Sequence, residues 1–156
     1  MKKIEVTPHF DAAELQGVLE LQEIWNPTCH DECPGRAPVG LAEMIFSIPD
    51  SVSLRVTIDE KLGGYFLVIP LRGVYEAHTM LLDNCRGQNA IRAGRAAVKW
   101  FFEHRDAALV RSYAREDHPE VSFFARACGF TAIGFEPKDV LVHGKPVRTE
   151  ILELRR

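Results

Sequence analysis

Between residues 52 and 82 the chain carries three apolar runs in close succession, and this block constrains the fold more than any other feature. Val52, Leu54, Val56 and Ile58 alternate with Ser51, Ser53, Arg55 and Thr57. A period of two belongs to a strand with one buried face. Asp59-Glu60-Lys61 reads as a turn. Tyr65 to Leu71 is then apolar without a break, between Gly63-Gly64 and Gly73. A strand covered on both faces has this text. Val74 to Leu82 supplies a third run. Strands joined by such short turns pair antiparallel, as a meander. A sheet buried on both faces needs a helical layer on each side.

The flanking segments supply those helices. Asp11 stands three residues before Glu14, an acidic helix start, and Leu15, Val18, Leu19, Gln22 and Trp25 follow at helical spacing. Pro27 should stop that helix near Trp25. Asn26 to Gly40 shows no period and reads as a long loop, a kind of segment that is usually functional or mobile. Leu41 to Phe46 closes it as a short helix. After the meander, Ile91, Val98, Phe101 and Phe102, with Ala90, Ala93, Gly94 and Ala97 between them, form one helical face. Arg92, Arg95, Lys99 and Glu103 fall on the other. Ala107 to Ala114 reads as a strand. Asp117, Pro119 and Glu120 open another helix, and Gly129 closes it with Phe130 folding back. Phe130 to Phe135 and Val147 to Leu154 are the last strands, with Val140 to Val142 pairing the latter across His143-Gly144-Lys145. The expected fold is a mixed α/β sheet: an antiparallel meander, then β-α-β-α-β, with helices on both faces and residues 1–156 as one domain.

The length of 156 residues suits one core. Hydrophobic residues make up 46% and charged ones 26%, a globular balance. The net charge of -3 leaves no global basic excess, so nucleic acid is not an expected partner. Arg92, Arg95 and Lys99 lack the interleaved aromatics that stack bases. No apolar run is long enough for a bilayer, and the start, Met1-Lys2-Lys3-Ile4-Glu5, lacks a signal-peptide stretch. A cytoplasmic location without membrane contact is the expectation. The four cysteines should then be thiols. Cys29 and Cys33 flank His30-Asp31-Glu32 at a spacing suited to half a zinc site, but no second close pair follows, and no metal is expected.

The segment Leu81-Leu82-Asp83-Asn84-Cys85-Arg86-Gly87-Gln88-Asn89 joins a strand to a helix. A helix start exposes unpaired N–H groups and partial positive charge, and phosphates bind there. Gly87 permits close approach of a ligand to the backbone. Arg86 and Arg92 add positive charge. The plain alternative is a strand-to-helix turn with solvated arginines.

In this context Arg86-Gly87-Gln88 resembles the acyl-CoA motif of the GNAT (Gcn5-related) N-acetyltransferases. That motif reads Arg or Gln, two residues, Gly, one residue, Gly or Ala. Arg86 matches its first position, while Asn89 and Ile91 stand at the small ones. Ser122 to Phe130, closing in Gly129-Phe130, is similar to the family's fourth helix. The text from Tyr75 to Met80 and from Ala97 to Phe102 also looks like small GNAT-like proteins of tailed bacteriophages. The resemblance implies acetyl-CoA as co-substrate, held by Leu81, Leu82, Arg86, Gly87, Gln88, Asn89, Ala90, Ile91, Arg92 and His118. It implies a small-molecule or protein amine as acceptor, approached from the loop after the first helix, with Trp25, Asn26, Asp31 and Glu32 facing it. The family's tyrosine acid, four residues before the glycine, is replaced by Ala125; Cys85 or a water would have to substitute.

Strand residues two apart share a face, so Glu76 and His78 project together on the strand leading to the motif. One of them would take the proton from the amine. The alternative is a hydrogen-bonded pair on a solvated sheet face. Tyr113 is a weaker candidate, since strand tyrosines are usually core. Two functions follow: an N-acetyltransferase acting by direct amine attack, or a non-catalytic GNAT-fold phage protein with a structural or head-assembly role, in the host cytoplasm. The C-terminal strand through Leu154 offers an edge through which a homodimer could form.

Overall fold

The computed structural model describes residues 1–156. In chain order the elements are β1 (Ile4–Pro8), α1 (Ala12–Leu19), α2 (Gln22–Trp25), a single 3-10 turn (Asn26–Thr28), α3 (Leu41–Ser47), β2 (Val52–Ile58), β3 (Lys61–Leu71), β4 (Val74–Leu81), α4 (Gln88–His104), β5 (Leu109–Arg115), α5 (Pro119–Ala127), β6 (Thr131–Phe135), β7 (Val140–Val142), β8 (Lys145–Val147) and β9 (Thr149–Arg155). Seven strands form one sheet in the order β1-β2-β3-β4-β5-β9-β6, while β7 and β8 make a separate hairpin. Pairing is antiparallel throughout except between β4 and β5.

Two cores sandwich the sheet. Val52, Leu54, Val56, Ile58, Phe66 and Val68 pack against α4 and α5. Tyr65, Leu67, Ile69 and Met80, from the opposite faces of β3 and β4, pack against α1, α2 and α3. The alternation read in β2 and the continuous apolar text of β3 are the imprints of these two layers. Glu14 ties α1 to the sheet: Arg55 Nε and Nη2 reach its carboxylate at 2.6 and 3.1 Å, and the Tyr65 hydroxyl donates to it as well.

The meander is closed by two-residue hairpins. Arg72 and Gly73 join β3 to β4 with φ of 50° and 77°, and Asp59 and Glu60 join β2 to β3 with φ of 48° and 68°. Two consecutive positive φ values give the turn whose twist matches that of paired strands.

Several expectations are corrected. Gly63 and Gly64 lie inside β3 rather than before it. A Cβ on Gly64 would meet the Met80 carbonyl oxygen at 2.1 Å, so the glycine records a close backbone approach and not a strand end. The helix expected up to Trp25 breaks at Leu21, whose ψ of 130° is extended, and the break brings Ile24 rather than Gln22 into the core. Ile4–Pro8, unassigned in the sequence, pairs with β2 and packs only Ile4 and Val6 inward, too little text to show a period. Val140–Val142 pairs with Lys145–Val147, so of the expected Val147–Leu154 strand only Val147 takes part in that hairpin. That final strand is no free edge: β9 is bonded to β5 on one side and β6 on the other. The exposed edges belong to β1 and β6.

Candidate active site

The parallel pair β4 and β5 is bonded only at Tyr75–Val110 and Glu76–Arg111. Past Glu76 the strands part. β4 stays paired with β3 as far as Leu81, and β5 with β9 as far as Arg115. The facing backbone edges of residues 77–81 and 112–115 therefore have no ladder partner. Unpaired backbone groups in a cleft are ready donors and acceptors for an extended ligand.

One end of this cleft leads through residues 82–87 to α4. Gly87 has φ 58° and ψ -129°, a conformation that a side chain strongly disfavours, and nothing lies within 4 Å of where its Cβ would be. It makes no side-chain cap, so the first amides of this 17-residue helix have no capping acceptor. Leu81 is buried in the sheet, and the Leu82 amide donates to the Gly63 carbonyl. Arg86 is exposed and 3.5 Å from Asp83. Gln88 is exposed, Asn89 and Ile91 are half-buried, and Ala90 is buried. Arg92 turns the other way and donates to the Lys2 carbonyl at 3.3 Å. His118 stands at the N-cap position of α5 without a side-chain cap bond, its Nδ1 2.9 Å from Glu120 Oε1. Cys85 is fully buried, where burial raises its thiol pKa, and lies under Gly63 away from the cleft.

The other end, where the strands meet, carries the titratable groups. Glu76 is only 4% exposed. Its Oε1 receives Arg72 Nη2 at 2.9 Å and Nε at 3.0 Å, and its Oε2 lies 3.9 Å from His78 Nε2. The structure thus brings Glu76 and His78 together on one face. His78 keeps 44% of its side chain accessible. Burial lowers its pKa below the ordinary 6.5, and the Glu76 charge opposes that shift. Arg72 Cζ also lies 5.1 Å from the centre of the Tyr113 ring. Continuing the β4–β5 register by two residues sets Tyr113 opposite His78. Its phenol pKa is raised by burial and then by Glu76, so it is a neutral donor.

Arg72 was not legible as a site residue. It reaches Glu76 only because the tight β3–β4 turn folds it back over the strand four residues on.

The residues expected on the acceptor side differ in their surroundings. Trp25 Nε1 donates to the Pro34 carbonyl at 2.9 Å, and Asn26 and Glu32 are exposed. Asp31 is engaged: both carboxylate oxygens accept backbone amides, from His143 and Gly144, at 2.8 Å each. Its own amide donates to Leu141. The loop is thereby clasped to the β7–β8 hairpin. Arg115, held on Asp117 at 2.8 and 2.9 Å, donates to the Cys29 carbonyl and fixes the loop from the β5 side. No group of metal-ligating side chains assembles around Cys29 and Cys33, and no helix is long and apolar enough to cross a membrane.

No protein-family description and no curated protein sequence matches the chain. Solved structures do. Spermidine N-acetyltransferase of Vibrio cholerae, in complex with CoA and spermine, superposes with a TM-score of 0.75 at 12% identity over 99% of this chain and 95% of that one. A chimera of that enzyme with hSSAT gives 0.78 at 13% identity over 97% and 95%. The ribosomal α-N-protein acetyltransferase RimL, in complex with coenzyme A, gives 0.75 at 12% identity over 97% and 93%. At these identities the likeness concerns architecture, and the chain has the mixed α/β fold of the GNAT acetyltransferases.

Proposed function

We propose that the chain is an acyl-CoA-dependent N-acyltransferase that uses acetyl-CoA as co-substrate and acylates an amine by direct attack. The observation that carries this reading is the parted β4–β5 pair, with a phosphate-compatible helix start at one end and the Glu76–His78 pair at the other. The CoA complexes of similarly folded enzymes support it.

The chain's residues fit the donor. The free amides of Gln88, Asn89 and Ala90, with Arg86 beside them, suit the pyrophosphate. The unpaired β4 edge near Leu81 and Leu82 suits the pantetheine amides. Arg92 and His118, each already bonded within the protein, shape the surroundings of the site.

The acceptor reaches the accessible imidazole of His78, which is neutral near pH 7 and takes the ammonium proton. Glu76, buried and unable to meet a bulky acceptor, faces the resulting imidazolium through Oε2. The freed amine attacks the thioester carbonyl, and the C–N bond forms. Unpaired β4 amides offer hydrogen bonds to the oxyanion. The C–S bond then breaks. A CoA thiolate is a tolerable leaving group, because thiols ionise near pH ~8.5, and it takes up the second proton lost by the attacking nitrogen, directly or relayed by water. Trp25, Asn26 and Glu32 border the acceptor side, with Asp31 holding their loop in place.

Calorimetry of the chain with acetyl-CoA tests the reading. Micromolar binding, abolished in Gly87→Trp, is expected. Absence of binding at millimolar ligand sinks the reading and favours a non-catalytic protein on this fold. Thiol release with spermidine and with peptide α-amines then sorts the acceptor.

A further inference from the structure

On the α4–α5 side of the sheet an apolar slot of about 60 Å³ opens from the same cleft. Its wall has fifteen residues, twelve of them hydrophobic; the other three are Thr79, Gly94 and Ser112. Thr79 on β4 and Ser112 on β5 stand on opposite banks of the parted strands, so the two hydroxyls mark the mouth. The far end is wholly apolar. Val110 there is paired with Tyr75, in the closed part of the β4–β5 ladder, and Phe101 packs edge-on to Tyr75 at 5.2 Å. The slot therefore continues past the point where the strands meet, beneath α4. From Thr79 to Tyr75 is four residues, about 13 Å at ~3.3 Å per residue.

The slot's lining is small where α4 and α5 come closest. Gly94 on α4 faces α5, and a Cβ there would lie 2.5 Å from Cys128 Sγ and 2.8 Å from Phe124 Cζ. Ala97 and Ala125 line the slot with single methyls.

Direction decides what enters it. The phosphate-compatible helix start lies beyond Leu82, at the opposite end of β4 from Glu76. A donor anchored there and laid along the open β4 edge brings its thioester towards Glu76, and its acyl chain to the slot. The pantetheine arm carries two amides and is suited to the unpaired backbone edge. Beyond the Thr79 and Ser112 hydroxyls at its mouth the slot is lined by apolar side chains and the Cys128 thiol, and suits hydrocarbon.

Resting on the acyl-CoA reading, we propose that this slot receives the acyl chain, and that the site, while accepting acetyl-CoA, prefers a short-chain acyl-CoA of about four carbons. A water-sized group needs ~10–15 Å³ of such volume, so the slot of about 60 Å³ holds about four to six of them. The transfer itself is unchanged: the C–S bond breaks, the C–N bond forms and His78 takes the amine proton.

The test is calorimetry of the full chain with free CoA, acetyl-CoA, butanoyl-CoA and octanoyl-CoA. Two further buried methylenes are expected to make butanoyl-CoA bind about tenfold more tightly than acetyl-CoA. Octanoyl-CoA should bind more weakly than butanoyl-CoA, because its chain outruns the slot. Val98→Phe, which fills the slot from α4, should remove the butanoyl advantage. Equal affinity for acetyl- and butanoyl-CoA in the unmodified chain overturns the proposal while leaving the acyl-CoA reading intact. No binding of free CoA or of any thioester overturns both. If Val98→Phe does not fold, the ratio measured in the unmodified chain decides alone.

Discussion

Arg72 holds Glu76 by one oxygen only: Nη2 and Nε both address Oε1, at 2.9 and 3.0 Å, and Oε2 is left 3.9 Å from His78 Nε2. The carboxylate is thus divided between a cation that orients it and an imidazole that it faces. This division supports the proposed proton-accepting role of His78, the accessible member of the pair, with Glu76 as its partner.

The first prediction concerns that pair. His78→Ala should lower kcat by roughly 10²–10⁴-fold, the usual contribution of a positioned base. The acid limb of the kcat/KM profile should lie below pH 6.5, because burial lowers the His78 pKa from 6.5. Activity is lost as pH falls through that lowered value, since the imidazole must be neutral to accept a proton. Arg72→Gln leaves the Glu76 charge unshared, stabilises the imidazolium and moves the limb to higher pH. A merely structural role for Arg72 would lower activity without moving the limb.

A second prediction concerns the helix start. Gly87 has φ 58° and ψ -129°, with empty space around its Cβ direction. Gly87→Ala therefore meets no neighbour and acts through the backbone alone, at a cost of about 1–3 kcal/mol. Urea unfolding should show that loss. Relaxation of the loop should also weaken CoA binding, measured by calorimetry, although the added methyl blocks nothing.

The layers could be read from the sequence where a single side chain reports its own surroundings. Val52, Leu54, Val56 and Ile58 declare a face because each second residue meets the same helix layer. Glu76 and His78 could be paired because spacing along one strand fixes their side. Arg72 could not be placed, since its reach depends on a turn with two positive φ values. Asp31 looked available to a cationic amine, but hairpin amides more than one hundred residues away occupy it. Gly64 looked like a boundary for a related reason: its constraint is the Met80 carbonyl on the next strand. The slot was invisible because β3, β4, β5, α4 and α5 each contribute part of its wall.

Gly94 yields the third prediction. It lets α4 approach α5, with Cys128 Sγ and Phe124 Cζ where a methyl would go, at 2.5 and 2.8 Å. Both neighbours are side-chain ends and can give way partly. Gly94→Ala should thus be overpacked rather than unfolded. A loss of about 1–3 kcal/mol is expected in chemical denaturation. The helix propensity gained by replacing glycine, ~1 kcal/mol, offsets part of it. An unchanged or higher midpoint would mean that the two helices separate at no cost.

The fourth prediction concerns the clasp on the acceptor loop. Asp31 accepts the amides of His143 and Gly144 at 2.8 Å each. These two bonds, Gly144 first, lower its pKa below the ordinary 3.8. A carboxyl with a lowered folded pKa stabilises the clasp above the unfolded value and releases it as pH falls through the folded one. The hairpin should accordingly stay closed at neutral pH and loosen only in acid below pH 3.8. Asp31→Ala removes the acceptor at every pH. Hydrogen exchange should then quicken at His143 and Gly144 while the β3 amides keep their protection. The loop bearing Trp25, Asn26 and Glu32 keeps its Arg115 anchor on Cys29, so donor binding should survive and KM for the amine should rise. Unchanged exchange at Gly144 would show that Arg115 and the Leu141 carbonyl hold the loop without Asp31.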